Sequence, residues 1–496
     1  MVLYAVLIFL VASVIGSGFL FGATDSSANG PRPNILFCIS DDQSWPHVGI
    51  AGDPVVKTPG FDRIARSGIL FTHAFVDAPS CTPSRGAILT GQHIWRLEEG
   101  GSLHSTLPAR FQVYPDILEA GGYVVGHSGK AWAPGRLEPG GRHRNPAGPR
   151  FRNIQDFLKE LPEGRPICYW LGSHYPHRPY PVGSGLRAGK ESTAVRVPLH
   201  LPDQPIVRGD LLDYYVAIEK FDQMVVGAIE ALERSGLLEN TLVVVTSDNG
   251  MPFPRAKATV YDSGVRVPLA IAWPGHIEAG GRIDDLTLLS DLAPTFLEVA
   301  GLRPPEEMTG RSLLPLLVSG EIGKLSVSRD AVFFGMERHD GARAGGNGYP
   351  CRAIRTNEYL YIRNFQPDRW PAGDPDPRNC ARALPYGEVD PSPTKSFLLA
   401  LGKELPFRRY FDLAFAKRPA EELYDLGRDA AQLTNLASDP AYAAVRERLG
   451  QKLMDYLAAT GDPRGLGQTA PWDHYPYYGN MGNPAWAVVE PDKGDM

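Results

Sequence analysis

Five short apolar runs punctuate the chain, at residues 34–40, 122–126, 166–171, 241–246 and 267–273. None alternates with polar positions. Such runs read as strands buried on both faces, as in a parallel or mostly parallel sheet. The intervals between them carry helical spacing, at residues 61–67, 113–120, 154–161, 210–235 and 290–300. The longest places Leu211, Leu212, Tyr215, Ile218, Val225, Val226 and Ile229 near helical spacing, and Gly236 stops it. Strand–helix alternation of this kind predicts an α/β sandwich around a mostly parallel central sheet.

From about residue 320 the texture changes. Residues 359–363, Tyr-Leu-Tyr-Ile-Arg, alternate and predict a half-exposed antiparallel strand. A Pro/Asp-rich loop fills 367–377, and 441–459 reads as one amphipathic helix. The chain therefore divides into a larger unit at 31–320, a smaller C-terminal α+β domain with an antiparallel sheet at 321–470, and an aromatic, Pro-rich tail at 471–496. Residues 2–22 are almost wholly apolar, end in small residues at Phe21-Gly22-Ala23, and lead into a polar stretch. They read as an export signal over 1–23, although no Lys or Arg precedes the run. The run is also long enough to anchor the chain in a membrane. Both readings place the protein outside the cytoplasm, in a periplasmic, secreted or lysosome-like setting.

Composition narrows the classes. Lys+Arg is 50 against 56 Asp+Glu, a net charge of −6, which removes the usual electrostatic case for nucleic-acid binding. The 43% apolar content over 496 residues supplies a sizeable core. The five cysteines are too few, and odd in number, for a disulfide scaffold. Cys38 and Cys168 sit in apolar runs as buried thiols. Cys351 and Cys380 lie in Pro/Gly-rich sequence, where a bridge can form. Cys81 is left over.

Asp41 and Asp42 follow the first apolar run directly, and Asp248 and Asn249 follow the fourth. If those strands are parallel neighbours, both pairs project at the carboxyl edge of the sheet, where open α/β folds place their sites. Crowded carboxylates repel and need a compensating cation. All-oxygen ligation favours a hard divalent ion, Ca²⁺ or Mg²⁺. Acidic residues also end strands simply as turns or caps; a third segment shifts the balance. Residues 81–91 read Cys-Thr-Pro-Ser-Arg-Gly-Ala-Ile-Leu-Thr-Gly. Pro83 suits the first turn of a helix. Cys81 then sits at a helix N-terminus, where free N–H groups favour an anion, with Arg85 one turn on.

Cys-x-Pro-Ser-Arg followed by Thr-Gly resembles the type I sulfatase signature. Asp41-Asp42 and Ser247-Asp248-Asn249-Gly250 stand where that family has its metal ligands, and residues 58–63 resemble the stretch between them. Glu422-Leu-Tyr-Asp-Leu426 with Asn435-Leu436-Ala437 is similar to the family's C-terminal domain. The resemblance covers about residues 31–460. It implies an alkaline-phosphatase-like sandwich and a Cys81 oxidised by a formylglycine-generating or equivalent maturase to formylglycine. One hydroxyl of the aldehyde hydrate attacks sulfur, the alcohol or amine leaves, and the other hydroxyl then eliminates sulfate. It also implies one divalent metal, Ca²⁺ before Mg²⁺, held by Asp41, Asp42, the residue made from Cys81, Asp248 and Asn249. Arg85 orients the formylglycine oxygen. Lys130 and His177 match the family's active-site Lys and substrate-side His. Lys257 matches the Lys that contacts sulfate and protonates the leaving group. His174 is a weaker candidate.

One position departs from the family: Trp132 stands where a His commonly follows the equivalent of Lys130, and His127 or His143 are the nearest substitutes. Residues 247–254, Gly348–Arg352 and Ile354-Arg355 are similar to heparan N-sulfatases (sulfamidases). That similarity implies a sulfated-sugar substrate, either N-sulfoglucosamine or an O-sulfated glycan. Arg352, Arg355, Asn364, Asp368 and Arg369 are polar enough to line a sugar pocket or to form ordinary surface. Two other classes share the pattern, a phosphomonoester or phosphonate hydrolase and a non-catalytic glycan-binding relative.

Overall fold

The computed structural model describes residues 32–479; the segment expected at 1–23 and the end of the tail lie outside them. Every residue of β1 (Asn34–Ser40) is buried, because its two faces meet different layers. Ile35, Phe37 and Ile39 enter one core with Trp170, Val244 and Phe296. Leu36 and Cys38 enter the other with Phe61, Phe221 and Val225. Unalternated apolar sequence is what such a strand requires.

The main sheet runs β3 (Val124–Ser128), β4 (Ile167–Gly172), β1, β5 (Thr241–Ser247), β6 (Arg266–Ala272), β2 (Ile69–Phe75) and β7 (Gly281–Ile283), with β8 (Thr287–Leu288) also on β2. The first four are parallel neighbours. β6 runs against β5 and β2 runs against β6, so β2 points the same way as the central four. Of the five expected strands, the last is thus the antiparallel one. The long helix spans Pro205–Arg234. It begins before the expected 210 because Pro205 fits the first turn, where a missing N–H is no loss.

A separate antiparallel sheet contains β9 (Ala331–Met336), β10 (Cys351–Thr356), β11 (Tyr359–Asn364) and β12 (Glu421–Asp425), in the order β12-β11-β10-β9. The alternating run is β11, but it is not half exposed. Leu360 and Ile362 join the main core, while Tyr361 is buried with Leu449, Leu453 and Leu457. The helix Ala443–Ala459, which carries those leucines, covers the face that alternation assigned to water. Cys38, Cys81, Cys168 and Cys351 are buried free thiols, so the Cys351 bridge to Cys380 is not made. Among the described residues no helix is long and apolar enough to cross a membrane.

Candidate active site

Parallel register builds the site. Ser40 pairs with Ser247 at the ends of β1 and β5, so the acidic pairs that follow emerge side by side. Asp42 N–H donates to Asp248 Oδ1 at 3.0 Å, and Asp248 N–H donates to the Ser40 carbonyl at 3.2 Å. Asp42 adopts φ +76°, a left-handed conformation that Asp tolerates better than most residues. Beyond β3 the chain turns at Gly129, φ +66°, where an added Cβ would lie 1.9 Å from the Gly172 carbonyl. Glycine there lets the β3 and β4 tips close up and brings Lys130 over the edge. β2 delivers the third component. The chain has by then formed α1 (Pro59–Ser67), and from the end of β2 it reaches α2 (Cys81–Thr90), all of whose residues are buried and whose first residue is the cysteine.

The predicted residues converge. Cys81 Sγ lies 3.3 Å from Asp41 Oδ1. Lys130 Nζ donates to both oxygens of Asp41 at 2.8 and 2.7 Å. Lys257 Nζ donates to both oxygens of Asp42 at 2.7 and 2.6 Å. Arg85, fully buried, gives Nε to Asp248 Oδ2 at 2.7 Å. Its other N–H groups reach the carbonyls of Lys130, Ala131 and Ser40. Arg85 therefore fastens α2 to three strand ends. His177 Nδ1 donates to the Arg178 carbonyl at 2.6 Å, which leaves Nε2, 3.8 Å from Asp42 Oδ2, toward the site.

Charge explains the cohesion. Three buried carboxylates are matched by Arg85, Lys130 and Lys257. Burial opposes the charge on Asp41, but Lys130, His177, Arg85 and Lys257 hold it well below the usual carboxylate range. Burial pushes Asp248 up to about 6, with Asp41 and Asp42 adding to the effect and Arg85 opposing it. Burial, and next the Asp41 charge, push the Cys81 thiol well above its ordinary value. As it stands, Cys81 is a neutral thiol and a poor nucleophile.

The donors suit a hard divalent ion. One ligand atom from each of Asp41, Asp42, Cys81 and Asp248 lies within 4.8 Å of the others. Asn249 donates through Nδ2 to Asp42 Oδ1 at 2.5 Å, and its Oδ1 is buried without a hydrogen-bond partner. A buried carbonyl oxygen with no donor is the kind of ligand such ions take.

His174 is exposed at the rim of the site, within the fields of Lys130, Asp41, Arg85 and His177. Other candidates fall elsewhere. His127 Nδ1 donates to the Gly148 carbonyl at 3.0 Å, and His143 is on the surface, so neither stands in for the histidine absent at the buried Trp132. The suggested sugar-pocket arginines are structural. Arg352 is buried between Glu337 and Asp462. Arg355 pairs with Asp262, and Arg369 with Asp473. Asn364 bonds Glu422 at 2.8 Å, while Asp368 is exposed. Two residues that sequence reading passed over belong to the site. Tyr214, from the long helix, donates to the Asp42 carbonyl at 3.1 Å. Asp390 brings a carboxylate within 4.8 Å of Asp42 and His177. Neither carries a local motif.

Comparison with known proteins identifies the family. The sulfatase family model matches residues 33–134 and 150–302, and the model described as N-sulphoglucosamine sulphohydrolase, C-terminal, matches 255–380. An ulvan-active sulfatase of Formosa agariphila is 29% identical over 88% of this chain and 82% of its own. Human N-sulphoglucosamine sulphohydrolase is 28% identical over 87% of this chain and 91% of its own. A structure solved with its substrate D-glucosamine-2-N,6-O-disulfate superposes with TM-score 0.61 at 19% identity, over 87% of this chain and 98% of that one. The phosphonate monoester hydrolase of Agrobacterium radiobacter does so at 0.60 and 19%, over 87% and 97%. At these identities the structures speak for the alkaline-phosphatase-like fold alone. With the family model spanning just over half of its length, this chain belongs to the sulfatase family, the hydrolases of sulfate esters and sulfamates.

Proposed function

We propose that this protein releases sulfate from a sulfated saccharide, with N-sulfoglucosamine as the favoured class, through a formylglycine made from Cys81 and a divalent metal, Ca²⁺ before Mg²⁺. The observation that carries the reading is Cys81 itself. It is a buried neutral thiol 3.3 Å from Asp41, and burial together with the Asp41 charge denies it the thiolate form of a nucleophile. Conversion to an aldehyde hydrate puts a hydroxyl nucleophile at that point and replaces the one soft donor of the set by oxygen. The maturase is a required partner, and export is the expected route.

The chain's own residues divide the work. Asp41, Asp42, Asp248 and Asn249 would hold the metal. When bound, the ion supplies Lewis-acid charge against sulfate oxygens. Lys130 and Lys257 add two positive charges beside Cys81, and a sulfate group entering there meets both. His177 presents Nε2 to the site with its ring fixed by the Arg178 carbonyl, and Lys257 lies close by. Either can hand a proton to the departing atom. Arg85 fixes α2 and Asp248 so that residue 81 and the ligands keep their spacing.

The C-terminal match to N-sulphoglucosamine sulphohydrolase supports the amino-sugar class. A second reading, a polysaccharide of the ulvan kind, rests on the ulvan-active relatives. Sulfate release from N-sulfoglucosamine, O-sulfated amino sugars and ulvan separates them. Cys81→Ala is the control, and the Cys81 peptide is weighed for a loss of about 18 Da. Activity equal in wild type and Cys81→Ala overturns the mechanism.

A further inference from the structure

Asp390 lies in a short loop before the helix Pro393–Leu401. Lys395 of that helix pins the loop by donating to the Tyr386 and Val389 carbonyls at 2.9 and 2.7 Å. The carboxylate is buried, and its Oδ2 accepts no hydrogen bond. Lys257 Nζ stands 3.8 Å from Oδ2, and Arg382 3.7 Å from Oδ1. Both cations are engaged elsewhere, Lys257 on Asp42 and Arg382 on Asp340 at 2.8 Å. A buried carboxylate oxygen with no donor calls for an explanation. Its place beside Asp42, His177 and Lys257 puts it within reach of the reacting group.

Sulfate cannot be what it binds, because like charges repel. A hydrogen-bearing leaving group fits. The bridging oxygen of an O-sulfate ester carries no hydrogen, and after taking one proton it leaves as a neutral alcohol. The nitrogen of an N-sulfated sugar carries an N–H. As the S–N bond breaks, nitrogen keeps the bonding pair, takes one proton to become the amine, and a second to become ammonium. A carboxylate favours that product over the alcohol, and stabilisation that grows along the reaction is the kind that accelerates it.

We propose that Asp390 is a specificity-determining residue that accepts the N–H of an N-sulfated amino sugar and pairs with the ammonium left when sulfate departs. The assignment rests on the sulfated-saccharide reading above.

The test compares wild type and Asp390→Asn, a shape-conserving change whose fold is checked by thermal melting, on N-sulfoglucosamine and glucosamine 6-O-sulfate. The ratio of the two kcat/KM values falls about 100-fold in the variant. Product inhibition reads the same contact in wild type without any variant. Glucosamine inhibits more strongly than glucose, and that preference disappears in Asp390→Asn. Two results overturn the Asp390 assignment alone: an unchanged kcat/KM ratio in an active variant, or equal inhibition of wild type by the two sugars. Wild type that frees sulfate from neither substrate nor from ulvan brings down the sulfatase reading and Asp390 with it.

Discussion

The Asp42 N–H bonds Asp248 Oδ1 at 3.0 Å across 206 residues of sequence. Strand order makes this contact: β1 and β5 are parallel neighbours, and their ends fall in register at Ser40 and Ser247. The other Asp248 oxygen takes Arg85 Nε at 2.7 Å. One carboxylate thereby joins both strand ends to the helix that begins at Cys81. Residue 81 and the acidic strand ends are thus positioned together, by one set of contacts.

Arg85→Ala should therefore cost stability as well as activity. The substitution leaves Asp248 buried without its cation and frees three carbonyls at once. Removing one partner of a buried pair costs about 3–5 kcal/mol. Arg85→Lys should not restore it, because an ammonium cannot span the same fan of acceptors. Urea unfolding measures both; a loss below about 1 kcal/mol in Arg85→Ala would contradict the clamp.

Arg352→Ala separates a structural arginine from a sugar contact. Arg352 is held by Glu337 and Asp462 at 2.7 and 2.6 Å and is inaccessible to ligand. Truncation should destabilise by about 3–5 kcal/mol, since two buried carboxylates lose their shared cation. KM for the saccharide should stay within about twofold in the folded fraction. A rise in KM at unchanged melting temperature would return Arg352 to the substrate pocket.

The contrast between these two arginines shows what the sequence makes legible. Arg85 stands in a dense local motif, four residues past Cys81, and its place is read with the motif. Strand ends such as Asp41 and Asp248 are legible for a similar reason, since unalternated apolar runs end abruptly at them. Arg352 looks polar and available in sequence, and only the fold shows Glu337 and Asp462 closing on it. β2 and Asp390 were missed because their importance lies in who their neighbours are. Asp390 reaches Lys257 over a long separation, from a Pro-rich loop with no periodicity of its own. The exposure expected of β11 failed likewise, because alternation records two chemical faces but not a helix laid over one of them.

On acidification the neutral His200 and His73 should each draw stability down, whatever the carboxylates contribute. Burial, with Arg255 and His47 adding, lowers His200 from 6.5 to about 3, and its Nε2 has no partner. Burial, with Arg266 and Arg355, lowers His73 to about 4. Folded values below unfolded ones mean that the unfolded chain binds more protons in between. The native state is thus fully favoured above about pH 6.5 and loses ground as pH falls. By pH 5 the His200 share is roughly 2 kcal/mol. Asp222 and Glu388, raised by burial to about 6 and 7, act with the opposite sign in that window. The difference between wild type and His200→Phe is therefore what carries the test. Urea unfolding at pH 7 and pH 5 should show a smaller acid loss in the variant, and an equal loss would refute a neutral buried His200.

Chelation should remove both activity and stability, and the oxygen set explains why calcium should restore them best. Asp41, Asp42 and Asp248 each bring a carboxylate oxygen within 4.8 Å of the others and of Cys81. Calcium accepts irregular, carboxylate-rich oxygen sets supplied by the protein, whereas magnesium demands near-ideal geometry and keeps its waters. An ion that binds only the folded state stabilises it by about 2.7 kcal/mol at a hundredfold excess over Kd. Adding Ca²⁺ to chelated protein should raise the melting temperature, and Mg²⁺ should do so less. Asn249→Ala removes the buried carbonyl oxygen that lacks a donor and should shrink the calcium-dependent rise without abolishing folding. Asp248→Asn should shrink it further, because a charge is lost along with a ligand. Should calcium shift the melting temperature equally in wild type and both variants, the ion binds elsewhere, and the convergence of the strand ends serves only to neutralise Arg85, Lys130 and Lys257.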